Sequence, residues 1–404
     1  MNPARLQRLK ERRRVWFQVH LYLGLIAGAV LVVVGLTGSI AVFYWELQEV
    51  LNAGQMQIEA PPEGQRRLHS LDEIVAAAET IKPEGSRFDK VYYPRNEHLA
   101  YKLLYVLPSP PNGSGDEYYV FVDPYTAKAT GKQLWHPYQR YWGRPFVSFV
   151  MQLHWCLLLG RTGGTLVGIL GVLAIISVLT GLIVWWPLTG KWRQALIFKP
   201  GAGAARRNYD LHKFAGVYLS AVLLVVLFSG VYFNLPERVN VLVEPFSHLT
   251  RPNAWEGLPS QTYHSTVRRD QKPIGPAAVE AAVNRRYPSG RFWMLTAPKG
   301  PDGIYYVWKR DVDELGPFIG YREFVIDQYS GELLEVYESG TGSAGDVLLD
   351  WQWPLHSGQA FGWPGRALVF LSGLACPVLY VTGIIRWLQK RRAKKWTGLQ
   401  KPSR

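Results

Sequence analysis

The chain has 404 residues, 48% hydrophobic, 13% aromatic and only 19% charged, with 45 Lys plus Arg against 31 Asp plus Glu for a formal net charge of +14. This composition excludes disorder, and the gathering of apolar residues into blocks departs from a soluble protein, in which about a quarter of residues are charged and evenly spread. Two cysteines, neither in a CxxC or CxxCH motif, exclude a disulfide framework, a thioredoxin-like redox pair and covalently attached haem.

In chain order, uncharged runs cover Val15 to Trp45, Thr162 to Gly190, Phe214 to Pro236 and Ala367 to Ile385. Each is long enough to cross a hydrocarbon layer of about 30 Å at about 1.5 Å per residue. The first follows Arg12, Arg13 and Arg14 but is too long for a cleavable signal, so it reads as an anchor. The expected organisation is a basic tail 1–14, a first span 15–45, an outer α+β domain 46–145 and an interfacial segment with a second span 146–188. A loop 189–210, a third span 211–236, a second outer domain 237–352, an interfacial segment with a fourth span 353–388 and a basic tail 389–404 complete it. Segments 1–14, 188–213 and 386–404 together carry +18, leaving a net −4 for the rest, so the positive-inside rule places both termini and the middle loop in the cytoplasm. Charge confined to juxtamembrane segments is explained by topology and the lipid bilayer, and no nucleic acid partner is expected.

The chain is a tandem repeat. His154, Gly163, Thr180-Gly181 and Trp185 recur as His356, Gly365, Thr382-Gly383 and Trp387 at an offset of 202. His20, Gly24 and Thr37-Gly38 recur as His212, Gly216 and Ser229-Gly230 at an offset of 192. Between the spans, an alternating strand runs into Asp123-Pro-Tyr-Thr126 in one half and Asp327-Gln-Tyr-Ser330 in the other. Each outer domain is expected to hold one amphipathic helix (Leu71 to Ile81, Pro276 to Tyr287) and strands such as Lys102 to Leu107 and Tyr321 to Asp327. Pro108 to Gly115 reads as a hairpin loop and Ser339 to Gly345 as a linker. Both halves start on the same side, so they form a parallel repeat about an axis along the membrane normal.

That axis turns His20 toward His212 at matched depth, about 8 to 9 Å inside the cytoplasmic boundary, and His154 toward His356 near the outer interface. Ionisable side chains within spans are costly and mark function by default, and two facing imidazoles suit a haem iron. A pair offers too few ligands for zinc or copper, whereas haem brings four nitrogens of its own. Hydrogen-bonded packing and a duplication fossil are the bland alternatives. Gly24 and Gly216, one turn on, leave room for a flat macrocycle, although small residues also serve plain helix packing. Arg161, Arg366 and Arg144 are weaker propionate-binding candidates, with Arg13, Arg14 and Lys213 inside. His136 and Arg140, in the aromatic and basic stretch Trp135 to Arg144, are candidates for an anionic or chelate substrate, against an interfacial aromatic belt as the alternative. Cys156 and Cys376 read as buried hydrophobes, and the remaining histidines as surface residues. No GxGxxG or GxxxxGK(S/T) motif is present, so electrons would enter from a membrane quinol or a cytoplasmic reductase.

The His-bearing spans (His20-x3-Gly, Leu153-His154, His212-x3-Gly, Leu355-His356), the Thr-Gly pairs and the Asp-x-Tyr-(Thr/Ser) turns resemble the PepSY-associated transmembrane family, often called iron-regulated membrane proteins. Within that family they resemble the FoxB-type ferric-siderophore reductases of bacterial inner membranes. The resemblance covers nearly the whole chain. It implies two periplasmic PepSY-like domains, two non-covalent b haems in a four-helix bundle, and oxidoreductase activity on a periplasmic ferric siderophore. A permease without redox chemistry and a haemless anchored regulator are the competing readings; a broken span or an intramembrane carboxylate would favour the permease.

Overall fold

A computed structural model describes residues 3–108, 115–138, 140, 143–188, 190–199, 201–251, 263–268, 271–315 and 320–399. The chain divides into a helical unit (Met1–Phe43, Val150–Val241 and Gln352–Arg404) and a strand-bearing unit (Tyr44–Phe149 and Leu242–Trp351).

The helices of the first unit are α1 (Pro3–Ala41), α2 (Phe146–Cys156, which enters this unit at Val150), α3 (Gly160–Trp185), α4 (Ala204–Tyr218), α5 (Ser220–Asn234), α6 (Gln352–Ser357) and α7 (Gly362–Leu399). Three of them, α1, α3 and α7, contain stretches long and apolar enough to cross a membrane. The bent pair α4 and α5, 59° apart at Leu219, has the composition of a fourth. Leu219 leaves the helical conformation, and the Ser220 hydroxyl donates to Val217 O at 2.7 Å. No Pro or Gly marks that break, so the sequence reads as a straight span there. Helix α1 also starts at Pro3 rather than near Val15, because Lys and Arg are good helix formers and the basic segment simply extends it.

Helix α1 packs against α3 and α7, α3 against α5, and α7 against α4, so that α1 and the α4–α5 pair share α3 and α7 as neighbours. Close approach of α1 and α7 is fixed by Gly35, where a Cβ would come within 2.9 Å of Gly373 O, and by Ser39, whose hydroxyl donates to Phe370 O at 2.8 Å. Leu166, Ile169, Ile176, Leu368 and Leu371 are exposed on the long helices, as lipid-facing residues are. Cys156 and Cys376 are free and buried.

The second unit joins both repeats in one antiparallel sheet. Its strands are β1 (Arg87–Tyr92), β2 (Tyr101–Val106), β3 (Glu117–Val122), β4 (Ala129–His136), β5 (Arg291–Thr296), β6 (Ile304–Arg310), β7 (Tyr321–Asp327) and β8 (Leu333–Glu338). They run in the order β4-β3-β2-β1-β5-β6-β7-β8, so the two outer domains expected from the sequence share one sheet. Lys90 pairs with Thr296, Val91 with Leu295 and Tyr92 with Met294 at the junction. Helices Leu71–Glu79 and Pro276–Arg286 contact each other and cover one face, where Ile74, Val279 and Val283 pack on Val91, Leu103, Val120, Leu295, Val307 and Phe324. Ser70 and Glu73 form a capping box at the first helix, and Pro276 opens the second. The repeated Asp turns are structural: Asp123 accepts from Tyr125 N at 2.7 Å and Asp327 from Tyr329 N at 2.9 Å. Ser339 to Gly345 is partly a helix start, with Ser343 capping Ala344–Asp350. Of the expected loop Pro108 to Gly115, residues 109–114 lie outside the described residues.

Two buried charges differ between equivalent positions of the repeats. Lys102 on β2 donates to Gln48 Oε1 at 2.7 Å and lies over the rings of Trp45, Tyr92 and Tyr119 at 4.7, 4.9 and 4.6 Å. Tyr306 on β6 replaces it in the second half and donates to the Glu323 carboxylate. Burial lowers the Lys102 ammonium to about 7 and raises Glu323 to about 7. The folded pKa of Glu323 lies above its ordinary 4.5, so its contribution to stability is complete below that value and is lost as pH rises toward 7. Lys102 titrates below its ordinary 10.5, so folded protein binds fewer protons from pH 7 upward and stability rises through that window. Unfolding of the strand-bearing unit in the intact chain is therefore expected to lose stability up to neutral pH and regain it above, each limb sloping by at most about 1.4 kcal/mol per pH unit. Thermal unfolding across pH is expected to show the falling limb flattened in Glu323→Gln and the rising limb in Lys102→Met; unchanged limbs in these variants would contradict the assignment.

Candidate functional site

An imidazole inside an apolar bundle needs a partner for its N–H. All four repeated histidines of the helical unit solve this in one way, through Nδ1 and a main-chain carbonyl of a neighbouring helix. His20 Nδ1 lies 2.8 Å from Ser177 O and His212 Nδ1 3.1 Å from Leu379 O. His154 Nδ1 is 2.9 Å from Val34 O and His356 Nδ1 3.1 Å from Val226 O. A carbonyl only accepts, so Nδ1 carries the proton and the lone pair sits on Nε2. That tautomer is the one metal-ligating histidines adopt.

The rings are paired. His20 and His212 have centroids 6.2 Å apart with planes at 77°, and His154 and His356 have centroids 6.0 Å apart at 53°. With about 2 Å per nitrogen–metal bond and roughly 1.1 Å from nitrogen to ring centre, two imidazoles on opposite sides of one metal sit ~6.2 Å apart. Both pairs match that separation. Among the described residues no cluster of three or more His, Cys, Asp or Glu is placed to hold a metal ion. Two nitrogens thus suit a metal that arrives with its own equatorial ligands.

Each carbonyl belongs to a local seat with a hydroxyl residue three positions on and a glycine four positions on: Val34-Thr37-Gly38, Ser177-Thr180-Gly181, Val226-Ser229-Gly230 and Leu379-Thr382-Gly383. Positions i+3 and i+4 share a helix face with i, so carbonyl and bare backbone meet one ring, joined by the i+3 hydroxyl at His154, His212 and His356 and by the Ser177 hydroxyl at His20. A Cβ on Gly38 would stand 2.8 Å from His154 Cε1, and one on Gly181 2.9 Å from His20 Cε1. At Gly230 and Gly383 the corresponding distances are 3.4 Å to His356 and 3.5 Å to His212. The Thr/Ser-Gly pairs are recognisable in the sequence only as repeat markers; their role as seats appears once the helices are paired. Gly24 and Gly216 behave differently, since added Cβ atoms would meet Ser177 Oγ at 3.9 Å and Leu379 Cδ2 at 3.5 Å, ordinary contacts. Protein packing does not require glycine at either.

The chain leaves the His154 helix through Leu157 and Leu158 at φ 52° and 63°, and the His356 helix through Gly358 at φ 75°. Left-handed conformations at two leucines are strained, which fixes how α2 meets α3.

The other candidates divide. Lys213 is buried against Asp210 at 3.0 Å and donates to Ile197 O at 2.9 Å, so the protein itself already binds it. Arg366 donates to Val42 O at 2.8 Å and lies over Phe43 and Trp363 at 5.1 and 4.6 Å. Arg13 donates to Val184 O, whereas Arg14 and Arg161 are exposed. In the strand-bearing unit, Arg144 donates to His136 Nδ1 at 2.6 Å and Arg140 pairs with Asp116 at 2.7 Å. Burial, then Arg144, lowers the His136 pKa, keeping it neutral. Gln139, Tyr141 and Trp142 of that stretch lie outside the described residues. His69, His248 and His264 pair with Glu73, Glu244 and Asp302 at the surface.

With this geometry in place, the family model described as PepSY-associated TM region matches residues 17–390. The chain belongs to the PepSY-associated TM family. The match includes all four paired histidines and their seats, and it agrees with a membrane protein whose α1, α3 and α7 have the length and hydropathy of spans. No curated protein matches the chain. For this family member, Gly38→Ala and Gly181→Ala overpack a ring pinned by its carbonyl bond and are expected to cost about 1 to 3 kcal/mol. Gly230→Ala and Gly383→Ala are expected to cost less, because a methyl fits there. Thermal unfolding in detergent checks the order, and equal losses at all four positions would contradict it.

Proposed function

We propose that this PepSY-associated membrane protein is a di-haem b oxidoreductase of the bacterial inner membrane that reduces a periplasmic ferric siderophore and so releases ferrous iron. The observation that carries the reading is the pairing of the four histidines, with ring centroids 6.2 and 6.0 Å apart and each Nδ1–H donated to a main-chain carbonyl, which leaves the lone pair on Nε2. Glycine at positions 24 and 216, which protein packing does not demand, supports a flat group lying against the backbone there.

In this reading α4 and α5 cross together as a bent fourth span, the helices form a duplicated four-helix bundle, and both termini face the cytoplasm. His20 and His212 hold the haem on the cytoplasmic side, and His154 and His356 the outer one. Haem, when bound, supplies a one-electron ferric/ferrous couple. The seats fix the tautomer and aim each imidazole, with Nδ1–H donated to a carbonyl and the lone pair on Nε2. The apolar faces of α1, α3 and α7 exclude water from the path between the two layers. A membrane quinol or a cytoplasmic reductase delivers the electrons, and one electron per chelated ferric ion leaves on the outer side. Arg161, Arg366 and Arg144 remain propionate candidates in this scheme, while His136 and Arg140 remain candidates for contact with the chelate.

The 59° break at Leu219 favours a second reading, a permease for iron or its chelate, since broken spans line substrate paths in transporters. One experiment separates them. Dithionite-reduced protein mixed anaerobically with a ferric siderophore and a ferrous-specific indicator is expected to reoxidise its haem while the indicator reports one ferrous ion per electron. A haem spectrum that the chelate does not reoxidise would contradict the reductase, and chelate uptake into liposomes without reductant would establish the permease. His20→Ala with His212→Ala is expected to halve the haem content and block reduction by an inside donor, whereas two retained haems would contradict the ligand assignment.

A further inference from the structure

The four seats are not equivalent. At His212, Nδ1 lies 2.9 Å from Thr382 Oγ1, and at His356 it lies 2.7 Å from Ser229 Oγ. At His154 the Thr37 hydroxyl stands at 3.5 Å, and at His20 the Ser177 hydroxyl at 3.4 Å, the limit of a useful bond. Glycine contacts run the opposite way, tight at His154 and His20 and ordinary at His356 and His212. The first-repeat rings are therefore seated against backbone, and the second-repeat rings against a hydroxyl. Every pair contains one of each kind.

The hydroxyl's role follows from where its proton goes. Ser229 Oγ lies 2.9 Å from Val225 O and 3.0 Å from Val226 O, and Thr382 Oγ1 3.2 Å from Leu379 O with Val378 O also in reach. Those carbonyls accept the O–H hydrogen bond, leaving the oxygen lone pair to accept from Nδ1–H alongside the main-chain carbonyl. A second acceptor on Nδ1–H makes the imidazole more basic at Nε2, and a more basic ligand favours the more positively charged metal.

We propose that Thr382 and Ser229 are positioning residues that strengthen His212 and His356 as ligands, so that each haem has one strongly and one weakly donating histidine, the strong one always from the second repeat. This rests on the haem reading above. Removing the hydroxyl weakens the donor and destabilises the ferric state, so the midpoint potential rises.

Spectroelectrochemical titration of the full-length purified protein, with low-temperature electron paramagnetic resonance of the oxidised form, tests this. Thr382→Val is expected to move the potential and the g-values of the haem held by His20 and His212 alone, and Ser229→Ala those of the haem held by His154 and His356 alone, each toward higher potential. Thr382→Ser and Ser229→Thr are expected to restore wild-type values. Thr37→Ala and Ser177→Ala are expected to shift the potentials less than Ser229→Ala and Thr382→Val do. If Thr382→Val does not fold, Thr382→Ala reads the same quantity. Two haems with potentials and g-values unmoved by Thr382→Val and Ser229→Ala would overturn this proposal and leave the haem reading intact. Equal shifts from Thr37→Ala and Ser177→Ala would also overturn it. Wild-type protein without haem would overturn the haem reading itself.

Discussion

Everything in the helical unit follows from the need to seat a neutral imidazole where water cannot satisfy it. An unpaired N–H at membrane depth costs several kcal/mol, and a helix offers few acceptors because its carbonyls are already engaged. The chain meets this four times with the same device, a carbonyl that accepts a second bond from Nδ1, a hydroxyl residue one turn on and a glycine that lets the ring reach the backbone. Each histidine thereby depends on a neighbouring helix, and at His154 and His20 the ring's approach demands the glycine that the neighbour carries, Gly38 or Gly181. Helix order, close approach and the tautomer of the imidazole are parts of one constraint.

The repeat in the sequence turns that constraint into a pair. His20 on α1 and His212 on α4 belong to helices that share α3 and α7 as neighbours, and their partners in the seats, Ser177 and Leu379, come from those shared neighbours. His154 and His356 use α1 and α5 in the same manner, through Val34 and Val226. The strand-bearing unit shows the same repetition, since β1 and β5 occupy equivalent places in the two halves and pair with one another at the centre of a single sheet. Copies have diverged where the chemistry tolerates it, as in Lys102 against Tyr306 and Tyr119 against Glu323.

The histidines were legible in the sequence because recurrence at constant offset separates them from the five that do not recur. Their pairing was legible because the charge pattern leads one to expect both halves to start on the same side. What escaped was non-local or backbone-borne. The junction Val91 with Leu295 joins residues of different repeats, and strand alternation is silent about which strand is a neighbour. Leu219 breaks a run with no proline or glycine to announce it. Lys213 reads as a spare cation until Asp210, one turn back, is found bonded to it. Thr-Gly at the end of a span reads as a repeat marker until the ring is placed against it.

The central claim, a haem between each facing pair, is tested most directly by the visible spectrum of the purified protein, oxidised and dithionite-reduced, with pyridine haemochrome quantification against protein. The account predicts about two b haems per chain with low-spin, six-coordinate bands in both oxidation states. A colourless protein from cells supplied with haem, or a high-spin spectrum with one haem or fewer, would contradict it.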